Sequence, residues 1–137
     1  MSDTELQQIM AAVPFAALLG VEIVSAEAEE VRGTMAWTPE RCTVDGVLHG
    51  GALMAFADTL GAVCAYLNLE SGAATTTVES KTNFFRAVRE GEVTGTARPL
   101  HAGRSFIVVQ TALADSADRG VAQVTQTQAV LSARDRG

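Results

Sequence analysis

The chain has 137 residues, 47% of them hydrophobic, and a formal net charge of −6. That is enough for one buried core and too little for a second, so residues 1–137 are expected to form a single domain. The acidic balance argues against non-specific nucleic-acid binding, which needs a basic face to displace counterions. Cys42 and Cys64 have no paired spacing and no histidine cluster beside them, which argues against a disulfide framework or a metal site.

Residues 1–8 carry Asp3 and Glu5 but no Lys or Arg, so the basic start of a secretory signal is missing. The apolar stretch 10–21 is interrupted by Pro14 and is too short to cross a bilayer. A cytoplasmic location, away from membranes, is the expectation. Asp3 is placed to cap a first amphipathic helix, Pro14 to break it, and Gly20 to take the left-handed position after its end. Two strands follow, 21–28 and 31–37. In the second, Val31, Gly33, Met35 and Trp37 alternate with Arg32, Thr34 and Ala36. After a polar loop, residues 51–69 contain no proline and are rich in Ala, Leu, Met and Val, which predicts a long central helix ended by Gly72. Four further strands are expected over 75–88, 92–100, 104–114 and 121–133. Short turns between them imply antiparallel neighbours, since parallel pairs need long crossovers. The expected class is therefore α+β, with an antiparallel sheet curled around one apolar helix.

Asp58 is the only charged residue between Gly50 and Leu69. A carboxylate among Leu53, Met54, Phe56, Leu60 and Val63 costs stability unless donors compensate. Two readings stand: a polar residue hydrogen-bonded at a helix contact, or a tuned base or nucleophile. The helix starts at His49-Gly50-Gly51, where missing side chains let a ligand approach N–H groups that have no partner within the helix. That segment is either a tight glycine turn or an oxyanion site, strengthened by the positive end of the helix dipole. Gly50 and Asp58 are separated by about 12 Å along a helix axis, so they cannot both touch one carbonyl. If both act on one substrate, they come from two antiparallel copies of the helix, which predicts a homodimer with two equivalent sites.

The run Val47-Leu48-His49-Gly50-Gly51-Ala52, the acid at Asp58, the strand Thr77-Val78-Glu79-Ser80-Lys81 and the turn Gly103-Arg104-Ser105 together resemble the hotdog-fold thioesterases. The similarity is to the phenylacetic-acid-degradation (PaaI-like) and hydroxybenzoyl-CoA type, over nearly the whole chain. It implies a hotdog fold: a curved antiparallel sheet around one long helix, with an N-terminal helix. It implies hydrolysis of an acyl or aryl coenzyme A thioester without a cofactor, by a homodimer that pairs into a dimer of dimers. In that scheme Asp58 attacks the thioester or activates water, the Gly50 N–H of the partner subunit polarises the carbonyl, Thr77 positions the carboxylate and His49 supports the loop. Thr43 stands where the family commonly has Asn or Gln, and a hydroxyl reaches less far than an amide. The CoA phosphates need a cationic rim, for which Arg86, Arg89, Arg98, His101 and Arg104 are candidates, with Gly103 and Ser105 shaping the turn. Of Phe84 and Phe85, consecutive on a strand, one is expected in the core and the other along the ligand channel. A non-catalytic acyl-CoA binding module and a hotdog hydratase or dehydratase are the competing functions.

Overall fold

Residues 1–133 are described in a computed structural model. Helix α1 spans Asp3–Ala11, and its cap is Ser2 rather than Asp3. The Ser2 hydroxyl accepts from the Glu5 N–H at 3.2 Å while the Glu5 carboxylate accepts from the Ser2 N–H at 2.9 Å. That reciprocal pair satisfies two orphan donors, and Asp3 moves inside the first turn. Pro14 opens a second short helix, α2 (Pro14–Leu19), and Gly20 closes it at φ 71°.

Strands β1 (Val21–Glu27) and β2 (Glu30–Ala36) form the expected hairpin, with Val31, Gly33 and Met35 on the buried face. The long helix α3 spans Gly50–Leu67, and β3 (Ala74–Phe84), β4 (Glu92–Ala102), β5 (Phe106–Ala114) and β6 (Gly120–Leu131) complete the set. All pairs in the six-stranded sheet are antiparallel, in the order β1-β2-β4-β5-β6-β3. This is the hotdog arrangement. One neighbour differs from the reading of successive hairpins, because β3 pairs with β6 and not with β4. The link from Phe85 to Gly91 carries the chain away, tied by Leu48 N–H to Val88 C=O at 2.9 Å, and delivers β4 beside β2. The sheet edges are therefore β1 and β3.

The sheet curls because α3 is pressed into it. Gly33 and Gly95 face each other across the β2–β4 pair, and a Cβ on Gly33 would lie 2.7 Å from a Leu60 methyl and 2.8 Å from the Glu22 carbonyl. Two absent side chains thus form the trough that takes Leu60 and Phe56. Phe56, Leu60, Met35, Ile107 and Leu113 are fully buried there, each worth about 1.5–3 kcal/mol of transfer free energy. Although 18 residues long and apolar, α3 spends that surface on the sheet as a core helix. Phe84 and Phe85 are 50% and 62% exposed, so neither enters the core. The strand ends at Phe84, which removes the alternation that would have buried one of them.

Candidate active site

Asp58 sits half-buried in the middle of α3, and two strands supply its donors. From β3, the Thr77 hydroxyl donates to Asp58 Oδ1 at 2.9 Å; from β6, Gln126 Nε2 donates to the same oxygen at 3.0 Å. Behind Thr77 stands a second amide, since Gln128 Nε2 donates to Thr77 Oγ1 at 2.6 Å while Gln128 Oε1 accepts from the Thr75 hydroxyl at 2.9 Å. Hydrogen bonds to a charged group contribute about 1.5–3 kcal/mol each, enough to offset much of the cost of partly burying this carboxylate. Both donors converge on Oδ1. Among the described residues, Oδ2 has no hydrogen-bond partner.

Gln126 reaches the helix only because position 61 is glycine. A Cβ on Gly61 would overlap the Gln126 carboxamide, whose Oε1 is buried without a partner. Gln126, Gln128, Thr75 and Gly61 were not among the residues singled out from the sequence. Strand parity would have found the two glutamines: they alternate on β6 with Ala122 and Val124, on the face that turns inward. Two amides on a core face need partners, and Asp58 with Thr77 provides them.

At the start of α3, His49 is the cap, with Nδ1 accepting from the Gly51 N–H at 2.7 Å. Its carbonyl accepts from the N–H groups of Ala52 and Leu53 at 3.0 and 3.2 Å. The glycine pair therefore offers one free donor rather than two. Among the described residues, the Gly50 N–H has no partner, and it lies at the positive end of the helix dipole. The Phe84 ring lies over Gly50, 3.2 Å from where a Cβ would be. Thr43 is on the loop that precedes His49, exposed, with its N–H donated to Val47 C=O at 2.8 Å. Unbroken helix separates Gly50 from Asp58, by about 12 Å along the axis.

The cationic candidates fall into two groups. Arg86 and Arg89 are exposed at the end of the sheet that carries the start of α3, where Arg89 borders a cavity of about 540 Å³ with Asp115 and Arg119. There the Arg119 N–H holds the Asp115 carboxyl below its ordinary range, helped by the Ala117 N–H and the Arg119 guanidinium. His101, Gly103, Arg104 and Ser105 lie at the other end of β4, near the end of α3, where Gly103 and Arg104 line a cavity of about 360 Å³ with Asn68 and Ser132. Eleven residues of β4 hold the two groups roughly 35 Å apart within one protomer. His101 stacks on Phe106 with centroids 5.1 Å apart, and the Ser105 carbonyl accepts from Val130. Arg98 is occupied, with two hydrogen bonds to Glu30 at 2.6 and 3.0 Å.

A larger cavity, of about 670 Å³, opens beside Asp58 between α1 and α3. Cys64, on the buried face of α3, has its thiol pushed up to about 11 by burial, so it is a neutral thiol near pH 7.

The sequence profile of the thioesterase superfamily matches residues 45–122 of this chain, a span that contains both the start of α3 and Asp58. The 1,4-dihydroxy-2-naphthoyl-CoA hydrolase of Escherichia coli (strain K12) is 36% identical over 86 residues, 63% of each chain. The proofreading thioesterase EntH of Cronobacter turicensis is also 36% identical over 86 residues and 63% of each chain. The crystal structure of a thioesterase from Haemophilus influenzae superposes with a TM-score of 0.90 at 28% identity, over 97% of this chain and 92% of that one.

Proposed function

The chain belongs to the thioesterase superfamily and is a thioester hydrolase, and we propose on that premise that it cleaves an acyl-CoA in a site shared by two copies. One observation carries the reading. Among the described residues, Asp58 has one oxygen pinned and one without a partner, the Gly50 N–H has none, and a helix holds the two groups about 12 Å apart. A second copy related by a two-fold axis brings the free donor of one helix to the free carboxylate oxygen of the other.

The edge strand β3 is the natural contact. It is eleven residues long, its outer edge is unpaired, and Val78 on it is 62% exposed. Antiparallel pairing of β3 with its copy covers that edge. It also brings the Arg104 end of one protomer to the Arg86 and Arg89 end of the other, so the two distant cationic groups form one rim for the CoA phosphates. The chemistry follows from the free groups. The Gly50 N–H of the partner subunit stabilises the carbonyl oxygen as negative charge develops on it. Asp58 Oδ2 either takes a proton from the water that attacks the carbonyl carbon, so that the C–S bond breaks and the free acid forms directly, or attacks that carbon itself, so that the C–S bond breaks to leave an acyl–Asp58 anhydride that water then hydrolyses to the free acid and the regenerated carboxylate. In both routes the CoA sulfur leaves as thiolate and is reprotonated with the proton released by the water.

Asp58→Asn keeps an acceptor for Thr77 and Gln126, so its melting temperature should stay within a few degrees of the parent. Thiol release from an acyl-CoA should fall by roughly 10²–10⁴-fold, the usual contribution of a general base. Retention of parental activity in this variant removes Asp58 from the mechanism. Light scattering should give a dimer or a multiple of it, and an active monomer would overturn the shared site.

A further inference from the structure

The cavity beside Asp58 has walls of distinctive chemistry. Its inner wall is α3, where Asp58, Ala62 and Tyr66 repeat every four residues and so stack along one face. Its outer wall is α1, which contributes Ile9, followed by Ala12 and Val13 just beyond its end. None of the α1 residues is fully buried, because the helix covers α3 without filling the space between them. Tyr66 lies roughly 12 Å beyond Asp58 along the axis.

We propose that this cavity receives the acyl part of the thioester and selects an uncharged, apolar acyl group of medium length. The inference rests on the thioesterase site described above. A carbonyl carbon held at Asp58 has two substituents to place. The CoA arm needs cations, and among the described residues no Lys or Arg side chain lines this cavity; the Met1 ammonium at its border is engaged by Glu27 at 2.8 Å. The acyl arm needs apolar surface, and Ile9, Ala12, Val13, Ala62 and Val63 supply it. Glu5 adds a negative test. Its carboxylate borders the cavity and is kept ionised by the Ser2 backbone N–H and hydroxyl, which hold it below the ordinary range. An acyl group ending in a carboxylate would therefore meet Glu5 and Asp58, two like charges, with no Lys or Arg among the described lining residues to compensate. Tyr66 closes the far end and sets the length.

Calorimetry on the Asp58→Asn protein reads binding apart from turnover. Octanoyl-CoA should bind at least about tenfold more tightly than CoA alone, given the methylenes it buries, and succinyl-CoA no more tightly than CoA. Ala62→Phe, which fills the middle of the cavity, should erase the octanoyl preference. Ile9→Trp, on the opposite wall and a different helix, should do the same if the first variant fails to fold. In the parent enzyme, Tyr66→Ala should raise kcat/KM for palmitoyl-CoA relative to octanoyl-CoA. Equal affinity for octanoyl-CoA and CoA overturns the proposal, and so does an octanoyl preference that survives both filling variants. A failure of the catalytic reading looks different: Asp58→Asn would remain active whatever the cavity holds.

Discussion

Replacing Gly50 by proline deletes the one hydrogen proposed to bind the oxyanion and disturbs little else. The first helical position suits proline, whose missing N–H has no helical partner there anyway. His49, at φ −63° and ψ 134°, already has the conformation a residue before proline adopts. The Phe84 ring, 3.2 Å from the new Cβ, is 50% exposed and free to move aside. Loss of one such donor should lower kcat by roughly 10²–10³-fold, or about 2.7–4 kcal/mol of transition-state stabilisation. The decisive assay mixes two disabled proteins. In a dimer of one Gly50→Pro chain and one Asp58→Asn chain, one site has both its proline and its asparagine, and the other has neither. Random exchange makes half of the dimers mixed, and half of their sites intact, so about a quarter of parental thiol release should return. If native mass spectrometry shows mixed dimers and activity does not return, donor and carboxylate belong to the same protomer and the shared site is wrong. If Gly50→Pro alone keeps the parental kcat, the donor is not Gly50.

Gly61→Ala should push the Gln126 amide off Asp58, with about 1–3 kcal/mol lost to overpacking and a charge-assisted hydrogen bond lost with it. Adding Gln126→Ala should restore the melting temperature but not kcat, and a Gly61→Ala protein that melts and turns over like the parent would contradict the packing. Val78→Lys places like charges on the unpaired edge of β3, so sedimentation should show weakened dimers and thiol release should fall with them; an intact dimer would point to a different interface. Burial raises the Cys64 thiol from 9.0 to about 11, so the neutral form is favoured in the fold. Stability is then fully present below pH 9 and declines as pH rises toward about 11, because the unfolded chain loses its proton first. Urea titrations should show that alkaline decline diminished in Cys64→Ala, and an identical decline in both proteins would exclude Cys64 as its source.

Much of this fold was legible because its signals are local. The alternation of Val31, Gly33 and Met35, the proline-free apolar run of α3, and the breaks at Pro14 and Gly20 each depend on residues a few positions apart. The pairing of β3 with β6 was not legible, because it joins Ala74 to Leu131 across more than fifty residues and no turn encodes it. The site divides the same way. Asp58 stood out as a lone charge in an apolar helix, and His49-Gly50-Gly51 as a helix start, both within one stretch of sequence. Gln126 and Gln128 drew no attention, since a glutamine in a strand looks like solvent-facing surface until the burial parity of β6 is known. The cationic candidates divide for a related reason: residues on either side of one strand are close in number yet at opposite ends of one protomer.

In the proposed dimer, strand β3 links assembly to chemistry. Its inner side supplies Thr77 to Asp58, and behind it Gln128 fixes Thr77 in turn. Its outer edge is the surface a second copy would cover. The two roles occupy consecutive residues, because the register of β3 on β6 shifts between Thr77 and Glu79, at the exposed Val78. A bulge there turns the side chains on either side of Val78 relative to one another and increases local twist. One irregularity therefore aims Thr77 inward at the carboxylate while presenting Val78 outward. An unpaired edge would leave the donor to Asp58 on the least supported strand of the sheet. In the proposed dimer, pairing it with a copy would brace Thr77 and deliver the Gly50 N–H of the partner subunit in the same step, so that one contact would serve both the carboxylate and its oxyanion donor.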